Sequence, residues 1–167
     1  MRNLFLFCSL VFVFSSVSFA QSSQVPCSAP EFSQFDFWIG EWDLTWSDTM
    51  HASNSISKVY NDCVIQEKFD GSKDAQFSGM SVTTYDVRNK MWKQTWVDDQ
   101  GSYLDFTGNL VGDSMIMSRS YVQNDSTYYQ RMIWYEIKEN SFTWNWEKSS
   151  DNQKSWQLAW QIFYRRR

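Results

Sequence analysis

The chain has 167 residues, 43% of them apolar and 19% aromatic, with 15 Lys and Arg against 19 Asp and Glu for a formal charge of −4. This mixed, mildly acidic composition lacks the basic face that nucleic acid requires, and the length suits one domain with a substantial core. Three cysteines and one histidine provide neither a CxxC pair nor a His cluster, so no metal site is expected.

Met1-Arg2-Asn3 is a short positive head, residues 4–14 form an almost unbroken apolar run, and Ser18-Phe19-Ala20 ends it with small residues at the two positions a signal peptidase reads. The pattern predicts a signal peptide over 1–20, cleaved after Ala20, and a secreted or periplasmic product. The run is too short for a spanning helix, and no later stretch approaches the length one needs, so no transmembrane segment is expected. Cys8 lies in the leader. The remaining pair, Cys27 and Cys63, reads as a disulfide in an exported chain. On the chain-entropy account its 37-residue loop would contribute roughly 3–4 kcal/mol. Residues 21–34, with both prolines (Pro26 and Pro30), predict an extended N-terminal arm held by Cys27.

Residues 35–167 read as one β domain. Phe35-Asp36-Phe37-Trp38-Ile39-Gly40-Glu41-Trp42-Asp43 is a buried turn feeding a strand: Gly40 permits a sharp bend, and Trp38 and Trp42 are too large to leave in water. Beyond it, short aromatic and β-branched runs recur between turns made by Gly, Asn, Asp and Ser. Strands are predicted over 41–47, 53–60, 63–69, 77–85, 91–97, 103–110, 114–121, 127–137, 141–147 and 155–164. Hairpin-joined strands in this number predict an all-β fold, a single antiparallel up-and-down barrel of about ten strands, because closure removes the exposed edges. Alternation puts Trp92, Gln94 and Trp96 on one face, Phe142, Trp144 and Trp146 on another, and Trp156, Leu158, Trp160, Ile162 and Tyr164 on a third, all pointing inward.

Gly40-x-Trp42 at the head of an all-β chain is similar to the opening signature of the lipocalin-like, or calycin, barrels. The FDFWIGEW run resembles an uncharacterised secreted family on that plan. So do Cys63-Val64-Ile65-Gln66-Glu67, Gly79-Met80-Ser81, Tyr85-Asp86, Trp92-Lys93-Gln94-Thr95-Trp96-Val97-Asp98 and Trp144-Asn145-Trp146-Glu147-Lys148-Ser149. The resemblance covers nearly all of the mature chain and implies a barrel with a cavity, but brings no ligand or activity. It implies that Trp42 packs across the closed end under a basic side chain from a late strand, Arg165 or Arg131. Asp151-Asn152-Gln153 stands where the family would have Asp-Gly-Gly, so that hairpin is expected to differ. Nitrobindin-like barrels, a neighbouring group, hold haem through a late-strand histidine. Here the single His51 lies early, and no cofactor is expected.

No nucleophile elbow, phosphate loop or dinucleotide fingerprint occurs. Glu67 shares a face with Ile65 and Phe69, and a carboxylate pointing inward must be paired or protonated. It is either a ligand anchor or the partner of an inward Arg131. Gln94 between two tryptophans is either a ligand contact or a partner for indole N–H groups, and Asp98 reads as a turn cap. The leading expectation is a monomeric barrel that binds a small apolar or aromatic molecule. Its cavity would be lined by Phe69, Tyr85, Trp92, Trp96, Trp144 and Trp146, with Glu67, Gln94 and Arg131 as polar anchors. The runner-up is a barrel enzyme (isomerase, cyclase or hydrolase) using Glu67 or Asp98 as general base and Tyr85 or Arg131 to hold an oxyanion. A third reading is a filled barrel serving as an interaction module. An open cavity argues against the third, and an interior carboxylate beside Tyr or Arg favours the enzyme.

Overall fold

The computed structural model describes residues 26–167. The predicted signal peptide, its cleavage site and the first residues of the arm lie outside the described residues. Ten strands follow in order: β1 Gly40–Thr45, β2 His51–Val59, β3 Val64–Asp70, β4 Ser78–Asp86, β5 Met91–Asp98, β6 Tyr103–Val111, β7 Ser114–Gln123, β8 Ser126–Lys138, β9 Ser141–Ser149 and β10 Gln157–Arg166. Each pairs antiparallel with its neighbour in the chain, and β1 pairs with β10, so the meander closes into an up-and-down barrel. Every predicted strand is present.

In the described part of the arm, Pro30–Ser33 forms a short 3-10 helix, and a second, Asp36–Trp38, makes the buried turn expected ahead of the first strand. Pro30 supplies the fixed φ of a helix start, and the turns aim Phe32, Phe35 and Trp38 at one end of the barrel. Phe35 meets Trp92 and Trp134 edge-on at 4.9 and 5.4 Å, and Trp38 meets Trp134 at 5.5 Å. This aromatic plug seals the end that carries the hairpin turns β2–β3, β4–β5, β6–β7 and β8–β9. The Cys27–Cys63 disulfide ties the segment before the plug to the β2–β3 turn, and β1 holds the other side.

Arg166 locks the plug in place. Its guanidinium lies 4.2 Å over the Trp42 ring and donates to three backbone carbonyls: Ile39 O at 2.8 Å, Phe37 O at 3.3 Å and Glu139 O at 3.1 Å. Trp42 in turn donates its indole N–H to Trp38 O at 2.8 Å. Gly40 has φ +137°, and a Cβ there would overlap Arg166, so glycine is required both for the bend and for the room. The cation over Trp42 is therefore Arg166, and neither Arg165 nor Arg131. Arg165 is exposed beside it on β10, and Arg131 lies elsewhere on the outer wall.

A β-bulge between Leu158 and Trp160 corrects the expected face of β10. Trp160, Ile162 and Tyr164 point inward, but Leu158 is 55% exposed, and Trp156 lies outside under Arg131 at 4.0 Å. The Asp151 region before β10 closes through Asp151, which accepts from Ser149 Oγ and from the backbone and hydroxyl of Ser155.

Arg166→Ala is expected to lower unfolding stability by about 2–3 kcal/mol in a denaturant titration, since three carbonyls and an indole lose one partner. Arg166→Lys should recover only part of that, because an ammonium cannot stack flat and reach all three acceptors. Cys27→Ser with Cys63→Ser should lower it by about 3–4 kcal/mol.

Candidate functional site

The opposite end of the barrel is not sealed. A cavity of about 220 Å³ runs inward from it, walled by Phe69, Trp96, Phe106, Trp144, Trp146 and Trp160, with Trp134, Tyr164, Gln94 and Glu67 deeper in. Trp134 divides the two halves of the barrel: the plug packs against it, and it also lines the cavity. At the mouth, the 71–77 loop folds back through Ala75 N donating to Gly71 O at 2.8 Å. That turn lays Phe77 on Phe69 with ring centroids 5.2 Å apart. His51 N donates to Asp74 Oδ2 at 2.8 Å, fastening the loop to the start of β2. Gly79 lets Trp96 lie flat against β4; a Cβ there would overlap the indole and approach Val97 O at 2.7 Å.

The polar groups of the floor form one network. Glu67 Oε1 accepts from Asn54 Nδ2 at 2.7 Å, and Oε2 accepts from Ser81 Oγ at 2.6 Å. Asn54 Nδ2 also donates to the Tyr164 hydroxyl at 3.2 Å. Gln94 Nε2 donates to Thr83 Oγ1 at 2.9 Å and Ser81 Oγ at 3.3 Å, leaving its amide oxygen for the cavity. The strand registers explain the gathering: Glu67 stands opposite Ser81 on β4 and Thr83 opposite Gln94 on β5, while Asn54 on β2 stands opposite Phe69, two residues along β3 from Glu67. Among the described residues no cation faces Glu67. Burial pushes its carboxyl above the ordinary value of 4.5, against the opposing pull of the Ser81 and Asn54 hydrogen bonds. Burial, reinforced by the Glu67 charge, likewise holds the Tyr164 phenol well above its usual range.

Of the residues expected at the site, Glu67, Phe69, Gln94, Trp96, Trp144 and Trp146 line the cavity together. Three do not. Tyr85 and Trp92 belong to the sealed end, meeting each other at 5.6 Å and Phe32 at 5.7 and 6.3 Å, with the Trp92 indole donating to Gln34 Oε1. Arg131 faces out, paired with Glu147 and stacked on Trp156, because the inward residues of β8 are Gln130, Met132 and Trp134. The inward Arg131 partner expected for Glu67 is thus absent. Asp98 is a mouth residue and a cap. Burial would raise its carboxyl, but bonds from the Trp96 indole and from Ser102 and Gln100 hold it below the usual range.

Sequence reasoning missed Trp134, Asn54 and Arg119, and it placed Tyr164 inward without giving it a part in the site. On β8 apolar residues occupy both faces, so parity alone could not say whether Trp134 or Arg131 looks inward. Arg119 was legible, since it shares a face with buried Met115 and Met117. Pairing of β6 with β7 stops at Thr107 and Ser118, and Arg119 sits just beyond, bonded to Gln130 at 2.8 Å and 5.8 Å over Phe106. The chain matches no protein-family model and no curated protein. Among the described residues no group of three His, Cys, Asp or Glu side chains could hold a metal, and no helix is long and apolar enough to cross a membrane.

The sign of the Glu67 shift sets a pH dependence. With its folded value raised above 4.5, Glu67 contributes stability that is present below that pH and lost as pH rises through the folded value. Glu67→Gln keeps the shape and removes the proton. It is expected to match wild-type stability in acid and exceed it increasingly above about pH 4.5, by at most about 1.4 kcal/mol per pH unit, in denaturant titrations across pH.

Proposed function

We propose that this protein is an exported, lipocalin-like binding barrel that holds one small, largely apolar or aromatic molecule in its aromatic-walled cavity. The observation that carries this reading is the cavity itself. A core of ten strands with this many large rings could have closed, yet about 220 Å³ stays open. The rings around it face that space, leaving apolar surface for a guest to cover. A void of about 150 Å³ accommodates benzene, so this one suits a molecule of one or two rings. Gln94 and Tyr164 supply the few convergent polar groups that orient a ligand in such a pocket. The open space also argues against a filled barrel acting only as an interaction module. The disulfide accords with an oxidising compartment, and the FDFWIGEW resemblance with a lipocalin-like carrier.

A second reading has its own support. Glu67, raised by burial and joined to Tyr164 through Asn54, is an acid–base pair inside a pocket, the arrangement a barrel isomerase or cyclase would use. Asp98 does not serve this role, since its bonds to Trp96, Gln100 and Ser102 tie it to the mouth loop.

Native mass spectrometry of the mature protein from its own secreting host tests the two. A binding barrel is expected to carry a stoichiometric compound that denaturation releases. Trp160→Ala, checked for folding by circular dichroism, should weaken its retention by about tenfold or more. An empty protein that converts candidate substrates and loses turnover on Glu67→Gln would replace the binding reading with the enzymatic one.

A further inference from the structure

The charge and ring geometry of the cavity deepen the binding reading, on which this inference rests. Five tryptophans, Trp96, Trp134, Trp144, Trp146 and Trp160, surround the space with three phenylalanines between them. Their planes are not parallel: Trp144 stands at 87° to Trp160 and 73° to Trp134, and is tilted 36° from Trp146. A guest therefore meets ring faces from several directions, the arrangement of an aromatic cage. Two carboxyls complete the lining, Glu67 at the floor and Asp98 at the mouth, and among the described lining residues there is no Lys, Arg or His.

Neither carboxyl has a cationic partner among the described residues. Glu67 is held by an amide and a hydroxyl, and Asp98 by an indole and backbone amides. Arg119, on the inward face of β7, donates through Nη1 to Gln130, keeps a buried Nε without a partner, and rests over Phe106 and Tyr121 without lining the space. The amide oxygen of Gln94 adds an acceptor to the same floor. A buried carboxyl surrounded only by neutral donors lacks its countercharge, and an aromatic cage attracts positive charge through its ring quadrupoles.

We propose that the cavity selects an organic cation with an apolar body, an alkylated or aryl ammonium. Its charge lies toward Glu67 and its bulk among the tryptophans. An anion of the same shape would face two carboxyls, and a neutral molecule would leave Glu67 without a countercharge.

Three probes of matched shape and different charge test this: phenyltrimethylammonium, tert-butylbenzene and benzenesulfonate. Each is titrated into the full-length mature protein at mildly alkaline pH, with binding read by tryptophan fluorescence and calorimetry. The cation is expected to bind at least about tenfold more tightly than the neutral probe, and the sulfonate least of all. Glu67→Gln should erase most of the preference for the cation while leaving tert-butylbenzene affinity within about twofold, and Asp98→Asn should reduce it less. Equal or tighter binding of tert-butylbenzene would overturn the cation assignment while leaving the binding barrel in place. Preferential binding of benzenesulfonate, lost in Arg119→Gln, would overturn it in favour of an anion site at the β6–β7 gap. Failure of all three probes to bind would overturn the binding reading itself.

Discussion

The barrel depends on one cation placed on one ring. Arg166, near the end of the chain, lies over Trp42 near its beginning and caps three carbonyls from the plug and the β8–β9 turn. That contact closes β1 against β10 and fixes the 3-10 turns that push Phe35 and Trp38 into the barrel end. Trp134 packs against those two rings, and its position sets the depth of the cavity. A Cβ on residue 40 would displace Arg166, and so the lack of a side chain there reaches through Trp42, the plug and Trp134 to the floor of the site.

The two ends of the barrel are built on opposite principles. The sealed end is all contact: rings edge to face, a stacked guanidinium, and a disulfide that restrains the denatured chain by about 3–4 kcal/mol on the entropic account. The open end leaves about 220 Å³ unfilled between its aromatic walls. It also buries Glu67 without a cation. A closed end packed ring to ring thus stands opposite an open end whose aromatic walls and buried carboxyl face the cavity.

Much of this was legible in the residues. Ten strands follow from two-residue alternation bounded by turn residues, and the barrel follows because that many consecutive hairpins would otherwise leave two open edges. The disulfide follows from the two cysteines that lie outside the predicted leader. Glu67 and Gln94 as interior polar residues follow from the parity of β3 and β5, where polar and apolar residues separate cleanly. Parity failed where both faces carry apolar residues. On β8 it could not choose between Arg131 and Trp134, and on β10 a single bulged residue turned Leu158 and Trp156 outward. Nor could it tell which end of the barrel a residue occupies, so Tyr85 and Trp92 were assigned to a cavity that lies at the other end from them.

By itself, then, the sequence determined the strand list, the inward faces of the cleanly alternating strands and the covalent staple, because these are set by local periodicity and by residue chemistry. Tertiary structure alone decided which arginine meets Trp42 and which aromatics plug the barrel or line its cavity. It also decided that Glu67 is joined to Asn54 and Ser81 without a cation. These depend on strand register, on the bulge in β10 and on where the N-terminal turns insert, and each is settled by packing between residues more than ten, and in places more than a hundred, positions apart.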